Sequence, residues 1–167
     1  MSRKIGALLC SSGRDGRVLG MEGASINAEL VRSRAADIRR EAEILRAYST
    51  LSPEAFSADA EKTRSARYAL VVVVEAAAAI CNHLVSRRGR VPDSYPGCFE
   101  MMADVGIIES GLGGRMSALA RLRNILVHGY GRIDDRRIYA SLRDGLSDID
   151  EFERQVLSYL TRMGVTG

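Results

Sequence analysis

The sequence predicts an all-α protein, built as an antiparallel helical bundle of four long helices plus a short one. Its 167 residues fit a single domain. Only 3 of them are proline, so long uninterrupted helices are possible. Tryptophan is absent and aromatic residues make up 5%, so the core must be built mainly from Ala, Leu, Ile and Val. Such a composition favours helices packed on helices.

The first 25 residues are not expected to belong to this bundle. They contain five glycines and show no apolar period, which predicts a flexible N-terminal extension over residues 1–25. Met21 offers an alternative start, in which case the residues before it would lie upstream of the true protein. The helical domain is then expected over residues 26–163.

Two long helices fill the first half of the domain. A rough helical stripe predicts the first over residues 26–48, and its apolar members are Ile26, Leu30, Ile38 and Leu45. Ser52 followed by Pro53 marks a helix start. The second helix is expected over residues 57–87, and its stretch 69–80 is apolar nearly all round, as in a helix buried on most sides.

The second half begins with a loop over residues 86–96, indicated by one glycine and two prolines. A short helix is expected over residues 98–105. The glycines at positions 111, 113 and 114 weaken the start of the next helix, which we place at 115–127 and end at Gly129. Asp134 caps a last helix, predicted to run to residue 160.

Charge and cysteine content limit the possible environments. A formal net charge of +3 permits a nucleic-acid partner without demanding one. The cysteines Cys10, Cys81 and Cys98 are odd in number and irregular in spacing, so we expect no disulfide framework and a cytoplasmic location. Polar residues within the most apolar stretch, 68–85, argue against a membrane-spanning helix.

The two histidines have different surroundings. His83 lies in the apolar second helix, two residues after Cys81, which is a poor spacing for a shared metal on a helix. We interpret His83 as structural, with a place in a functional cleft as the alternative. No cluster of acidic, cysteine and histidine residues stands out as a metal site.

The second histidine, His128, belongs to the stretch LRNILVHGY, in which Arg123, Asn124 and Tyr130 accompany it. This stretch resembles the signature of the HEPN superfamily, an arginine followed by a histidine four to six residues later, and in particular its HepT branch. Three further segments agree with that branch: 52–56, 92–96 and 132–134. The resemblance covers about residues 26–162 and implies a HEPN-like bundle.

Helical geometry sets a condition on this motif. Positions 123 and 128 differ by about 140° on a straight helix, whereas Asn124 and His128 are four residues apart and share a face. Asn124 can therefore orient the imidazole of His128. Arg123 has a long side chain that could reach round to the same pocket. A second copy of the helix across a two-fold axis would bring Arg123 and His128 together more easily. The resemblance also implies a homodimer with a composite site.

The residue types suit RNA cleavage without a metal. A histidine can accept the proton of a ribose 2′-hydroxyl near neutral pH, and an arginine can stabilise charge on the phosphate. Our hypothesis makes His128 the catalytic acid and base and Arg123 the phosphate stabiliser. Asn124 supports one of them. Glu75, the one charge in the apolar stretch, is expected to be a buried carboxylate that needs a partner, and the candidates are Arg123 or a residue across the dimer. The alternative is purely structural: Arg123 pairs with Glu75, and His128 closes its helix.

The HepT resemblance also implies a biological role. Such proteins are toxins, paired with an antitoxin that is a small nucleotidyltransferase of the MNT type, and Tyr130 is the residue that would receive AMP. No cofactor is expected. Packing at the helix end, or substrate contact, is the alternative role for Tyr130. The rival function is a non-catalytic helical subunit that binds nucleotide and docks a nucleotidyltransferase.

Overall fold

The computed structural model describes residues 25–129 and 134–165 of the chain. These residues form six α-helices and no strand, which confirms the all-α prediction. The predicted extension and Met21 lie outside the described residues, apart from Ser25, and so does Tyr130. The helices are α1 (Ala28–Ser49), α2 (Pro53–Ala58), α3 (Ala60–Ser86), α4 (Tyr95–Asp104), α5 (Ser110–His128) and α6 (Asp135–Arg162).

Short polar side chains set where these helices begin. Ser52 caps α2 as predicted, but the chain then breaks at Asp59, which starts α3 by accepting hydrogen bonds from the backbone of Glu61 and Lys62. The long second helix therefore begins at residue 60 and not at 57. Ser94 accepts a hydrogen bond from the backbone of Gly97 at 3.2 Å and starts α4 three residues earlier than predicted.

The glycines before Arg115 lie inside a helix, so the predicted start of α5 was five residues late. Their role is packing, because Gly113 lets α5 approach α4 closely. A Cβ on Gly113 would lie 2.8 Å from the Cβ of Ala103 and 3.0 Å from the carbonyl oxygen of Phe99. The neighbouring Gly114 has open space around it.

This difference between the two glycines predicts opposite effects of alanine. Gly113→Ala should lower the free energy of unfolding by about 1–3 kcal/mol, because the added methyl group overpacks the α4–α5 contact. Gly114→Ala should raise it by about 0.5–1 kcal/mol, since alanine favours a helix and nothing obstructs it. Urea unfolding of both variants checks the pair, and equal effects would contradict the close approach.

Helix α3 lies at the centre of the bundle, packed along α1 and against α4, α5 and α6. By length and hydropathy it could cross a bilayer, yet 61% of its most apolar window is buried inside the protein. It supplies many of the fully buried side chains, and α4 and α6 add an edge-to-face pair between Phe99 and Phe152. The apolar stretch is thus explained by core packing.

The expectation that the cysteines form no disulfide was wrong for two of them. Cys81 of α3 and Cys98 of α4 are joined by a disulfide, with their Cα atoms 6.1 Å apart, and both are fully buried. The sequence does not reveal this pair, because two cysteines seventeen residues apart match no known disulfide pattern. The pair forms because the turn between α3 and α4 brings the two helices together. Cys10 lies outside the described residues.

Candidate functional site

Arg123 is held by side chains from three helices. One terminal nitrogen, Nη2, forms an ion pair with the carboxylate of Glu75 on α3. The other, Nη1, donates to Oδ1 of Asn124 at 3.3 Å. The guanidinium carbon lies 5.0 Å from the centre of the Tyr95 ring, at the start of α4. Only 13% of the Arg123 side chain is exposed, so its charge is largely enclosed by these partners.

Arg123 nevertheless keeps hydrogen-bonding capacity in reserve. A guanidinium has five N–H donors, and the contacts with Glu75 and Asn124 use two nitrogens once each. The third nitrogen, Nε, is buried and has no hydrogen-bond partner among the described residues. Each terminal nitrogen keeps one further N–H that an anion could accept, whereas the buried Nε is closed to solvent.

Glu75 lies at the surface and not in the core. Its side chain is 45% exposed, because it falls on the outward stripe of α3 that also carries Tyr68. The sequence suggested a buried carboxylate, since nearly all its neighbours are apolar, and that interpretation was wrong. Its ion pair with Arg123 is the pairing that the sequence proposed.

His128 is the last residue of α5 and is exposed. It lines a shallow depression with Asn124, Ile125 and Gly129. The backbone N–H of Gly129 donates to the carbonyl of Ile125 at 2.8 Å, and a Cβ at position 129 would overlap that carbonyl. Glycine at this position therefore fits the close approach by which α5 ends directly after His128.

Arg123 and His128 have different surroundings within residues 25–129 and 134–165. The guanidinium contacts α3 and α4, and Arg123 does not line the depression that holds His128. Asn124 belongs to both places, because it contacts Arg123 and lines the depression. The different directions of positions 123 and 128 on a helix explain this arrangement.

His83 has a structural contact far from this motif. Its Nε2 accepts a hydrogen bond from the backbone N–H of Asn27 at 2.9 Å, which ties the start of α1 to α3. Burial, together with the positive charge of Arg87, lowers the pKa of His83 below its usual value of 6.5. Both features agree with the structural interpretation of this residue.

The lowered pKa of His83 predicts a pH dependence of stability. A histidine whose pKa is lowered by folding stabilises the folded state above its unfolded pKa, near 6.5, and that stability is lost as the pH falls through the folded pKa. Protonation would also convert the acceptor Nε2 into a donor facing the N–H of Asn27. Thermal unfolding from pH 7.5 or so down to 5 or so should therefore show a decline that His83→Gln reduces. An unchanged decline in this variant would contradict the assignment.

Tyr95 is the site residue that the sequence did not single out. It lies in the segment 92–96, which carries part of the family resemblance, but nothing in its spacing connects it with Arg123. Within residues 25–129 and 134–165, no group of three or more His, Cys, Asp or Glu residues could hold a metal ion.

The fold is a helical bundle, and one of its helices carries an arginine, an asparagine and a histidine near its C-terminal end. This is the arrangement expected of a HEPN protein. Comparison with known families agrees, because residues 38–156 match the family described as Ribonuclease HepT-like. The chain therefore belongs to the HepT-like ribonuclease family. A protein of Archaeoglobus fulgidus named "Putative RNase" is 33% identical over 97 residues, which are 58% of this chain and 67% of that protein.

Solved structures share the fold. One is a tri-AMPylated HEPN toxin of Shewanella oneidensis in complex with an MNT antitoxin, with a TM-score of 0.72 and 21% identity. The match covers 78% of this chain and 98% of that one. Another is the cytosolic protein YutE of Bacillus subtilis, with a TM-score of 0.72 and 14% identity over 85% and 96% of the two chains.

Proposed function

We propose that this protein is a metal-independent RNA endonuclease whose catalytic residues are Arg123 and His128. The observation that carries the proposal is the state of Arg123: an enclosed guanidinium with donors to spare, on the same helical end as an exposed histidine. Membership of a ribonuclease family supports the choice of RNA as the substrate.

The two side chains divide the work of transphosphorylation. His128 accepts the proton of a ribose 2′-hydroxyl, whose oxygen then bonds to the adjacent phosphorus. The bond from phosphorus to the 5′-oxygen breaks, and the imidazolium of His128 returns a proton to that oxygen. Arg123 stabilises the negative charge that gathers on the phosphoryl oxygens. The products are a 2′,3′-cyclic phosphate and a 5′-hydroxyl.

A homodimer supplies the surface that a single subunit lacks. Arg123 and His128 are directed apart within one chain, so the proposal places Arg123 of one subunit and His128 of the other at each cleavage site. Two large apolar residues near His128, Ile125 and Val127, are exposed on α5. Their exposure supports an interface at this end of the helix.

Cleavage of total RNA by the purified protein tests the proposal. We expect cleavage in excess EDTA at the same rate as without it, with ends that carry cyclic phosphate. A rate that falls to background with EDTA and returns with a divalent cation would reject the metal-independent mechanism. RNA left intact under all conditions would reject the nuclease.

We further propose that the protein acts as a toxin, neutralised by an MNT-type nucleotidyltransferase that transfers AMP to Tyr130. The Shewanella oneidensis toxin, which shares the fold, is AMPylated and bound to such an antitoxin. Tyr130 lies two residues after His128, so an AMP group there would add bulk and negative charge beside the motif.

Intact-mass measurement after co-expression with an MNT-type nucleotidyltransferase checks the modification. We expect a mass gain in whole units of AMP, lost or reduced in Tyr130→Phe. Tyr139→Phe is a matched control, because this buried tyrosine donates to the backbone of Leu51 and should not accept AMP. An equal gain in Tyr130→Phe and wild type would exclude Tyr130 as the acceptor.

A further inference from the structure

We infer that Tyr95 is a positioning residue for Arg123, and this inference rests on the proposed ribonuclease function. The Tyr95 ring lies against one side of the guanidinium, with 5.0 Å between the ring centre and the guanidinium carbon. At that distance the negative face of an aromatic ring attracts a cation. Tyr95 thus restrains the position of the group that is to bind phosphate.

The three partners of Arg123 restrain it in different ways. Glu75 and Asn124 bind the terminal nitrogens, while the guanidinium carbon lies over the ring of Tyr95. The two hydrogen-bonded contacts alone would let the planar group rotate about them, and a phosphate that takes over those donors would release it. The attraction between the cation and the ring persists when a donor turns to phosphate, because it does not depend on those hydrogen bonds.

Tyr95 is itself held rigidly. It is the first residue of α4, directly after the capping Ser94 and directly before Pro96, whose ring restricts the backbone. Three residues further along, Cys98 joins α4 to α3 through the disulfide with Cys81. The partly buried Tyr95 side chain also packs against the core. A ring anchored in this way can set the position of a long and otherwise flexible arginine.

Replacement of Tyr95 tests this role through kinetics. Tyr95→Leu should lower kcat by about 10-fold to 100-fold with little change in KM, because a misplaced arginine stabilises the transition state poorly. Tyr95→Phe should retain most of kcat, since it keeps the ring. Tyr48→Leu is the matched control: Tyr48 is a partly buried tyrosine that packs on Phe56, away from Arg123. It should lose stability without losing kcat.

A fluorescence experiment tests the contact without any reaction. The chain contains no tryptophan, so Tyr95→Trp introduces a single tryptophan against Arg123, which is excited selectively over the remaining tyrosines. We expect its emission to shift when Arg123→Met is added. Arg121→Met should leave it unchanged, because the Arg121 guanidinium lies against Ser117 and Glu100 instead. Identical spectra with and without Arg123→Met would overturn the proposed contact.

The outcomes separate this inference from the function on which it rests. RNA cleavage that Tyr95→Leu leaves at the wild-type kcat would overturn the role of Tyr95 and leave the ribonuclease intact. Equal losses in Tyr95→Leu and Tyr95→Phe, or in Tyr95→Leu and Tyr48→Leu, would also overturn it. Absence of cleavage by the wild-type protein would overturn the proposed function together with the role of Tyr95.

Discussion

Replacing Arg123 by alanine is expected to lower the rate of RNA cleavage by about 10²–10³-fold, the usual effect of removing one donor that stabilises transition-state charge. Among residues 25–129 and 134–165, Arg123 is the guanidinium that contacts both Glu75 and Tyr95. Arg123→Lys should lose most of the activity too, because an ammonium lacks the planar fork of donors. Single-turnover cleavage of a labelled RNA measures both effects.

Arg154→Ala is the matched control for Arg123. Arg154 also pairs with a glutamate, Glu151, but it lies on α6, its side chain is 65% exposed, and it is not part of the site. Its removal should leave the cleavage rate near that of the wild type. Equal losses in the two variants, or full activity of folded Arg123→Ala, would show that Arg123 does not stabilise the phosphate.

Replacing His128 by alanine should lower the cleavage rate by about 10²–10⁴-fold, the range for loss of a general acid and base. Because the imidazole is exposed, the thermal unfolding midpoint should barely change, so a loss of activity can be assigned to chemistry. Expression in a bacterial host gives a second measurement. The wild-type protein should arrest growth, and His128→Ala should relieve the arrest.

The other histidine provides the control for this prediction. His83→Gln should alter the pH dependence of stability and leave cleavage near the wild-type rate, because His83 contacts the backbone of α1 and not the motif. A harmless wild-type protein would instead favour the non-catalytic subunit that binds nucleotide and docks a nucleotidyltransferase. Growth arrest that persists in His128→Ala would exclude His128 as the catalytic base.

Sequence rules predicted two of the helix starts that depend on local capping and missed two others, at Asp59 and Ser94. Ser52 and Asp134 cap helices as expected, because a capping side chain bonds the backbone two or three residues away. The beginning of α5 was misplaced because it depends on a tertiary contact: Gly113 allows α4 to approach, and nothing local to the glycine reveals that. The Cys81–Cys98 disulfide was missed for the same reason.

The candidate site divides in a similar way. The relative directions of Arg123, Asn124 and His128 could be predicted because the three residues lie on one helix, where spacing sets direction. The predicted separation of Arg123 from His128 agrees with the structure. Tyr95 is 28 residues before Arg123 and reaches it only through the packing of α4 against α5. The exposure of Glu75 was likewise misjudged, because apolar neighbours in sequence do not determine which side of α3 faces solvent.

Complementation between two inactive variants tests the central proposal, a site shared between subunits. Arg123→Ala and His128→Ala, carrying different tags, are co-expressed, and the mixed dimer is isolated and assayed for RNA cleavage. If each site combines Arg123 of one subunit with His128 of the other, the mixed dimer retains one complete site and should cleave at about half the wild-type rate. A mixed dimer as inactive as its two parents would contradict the shared site.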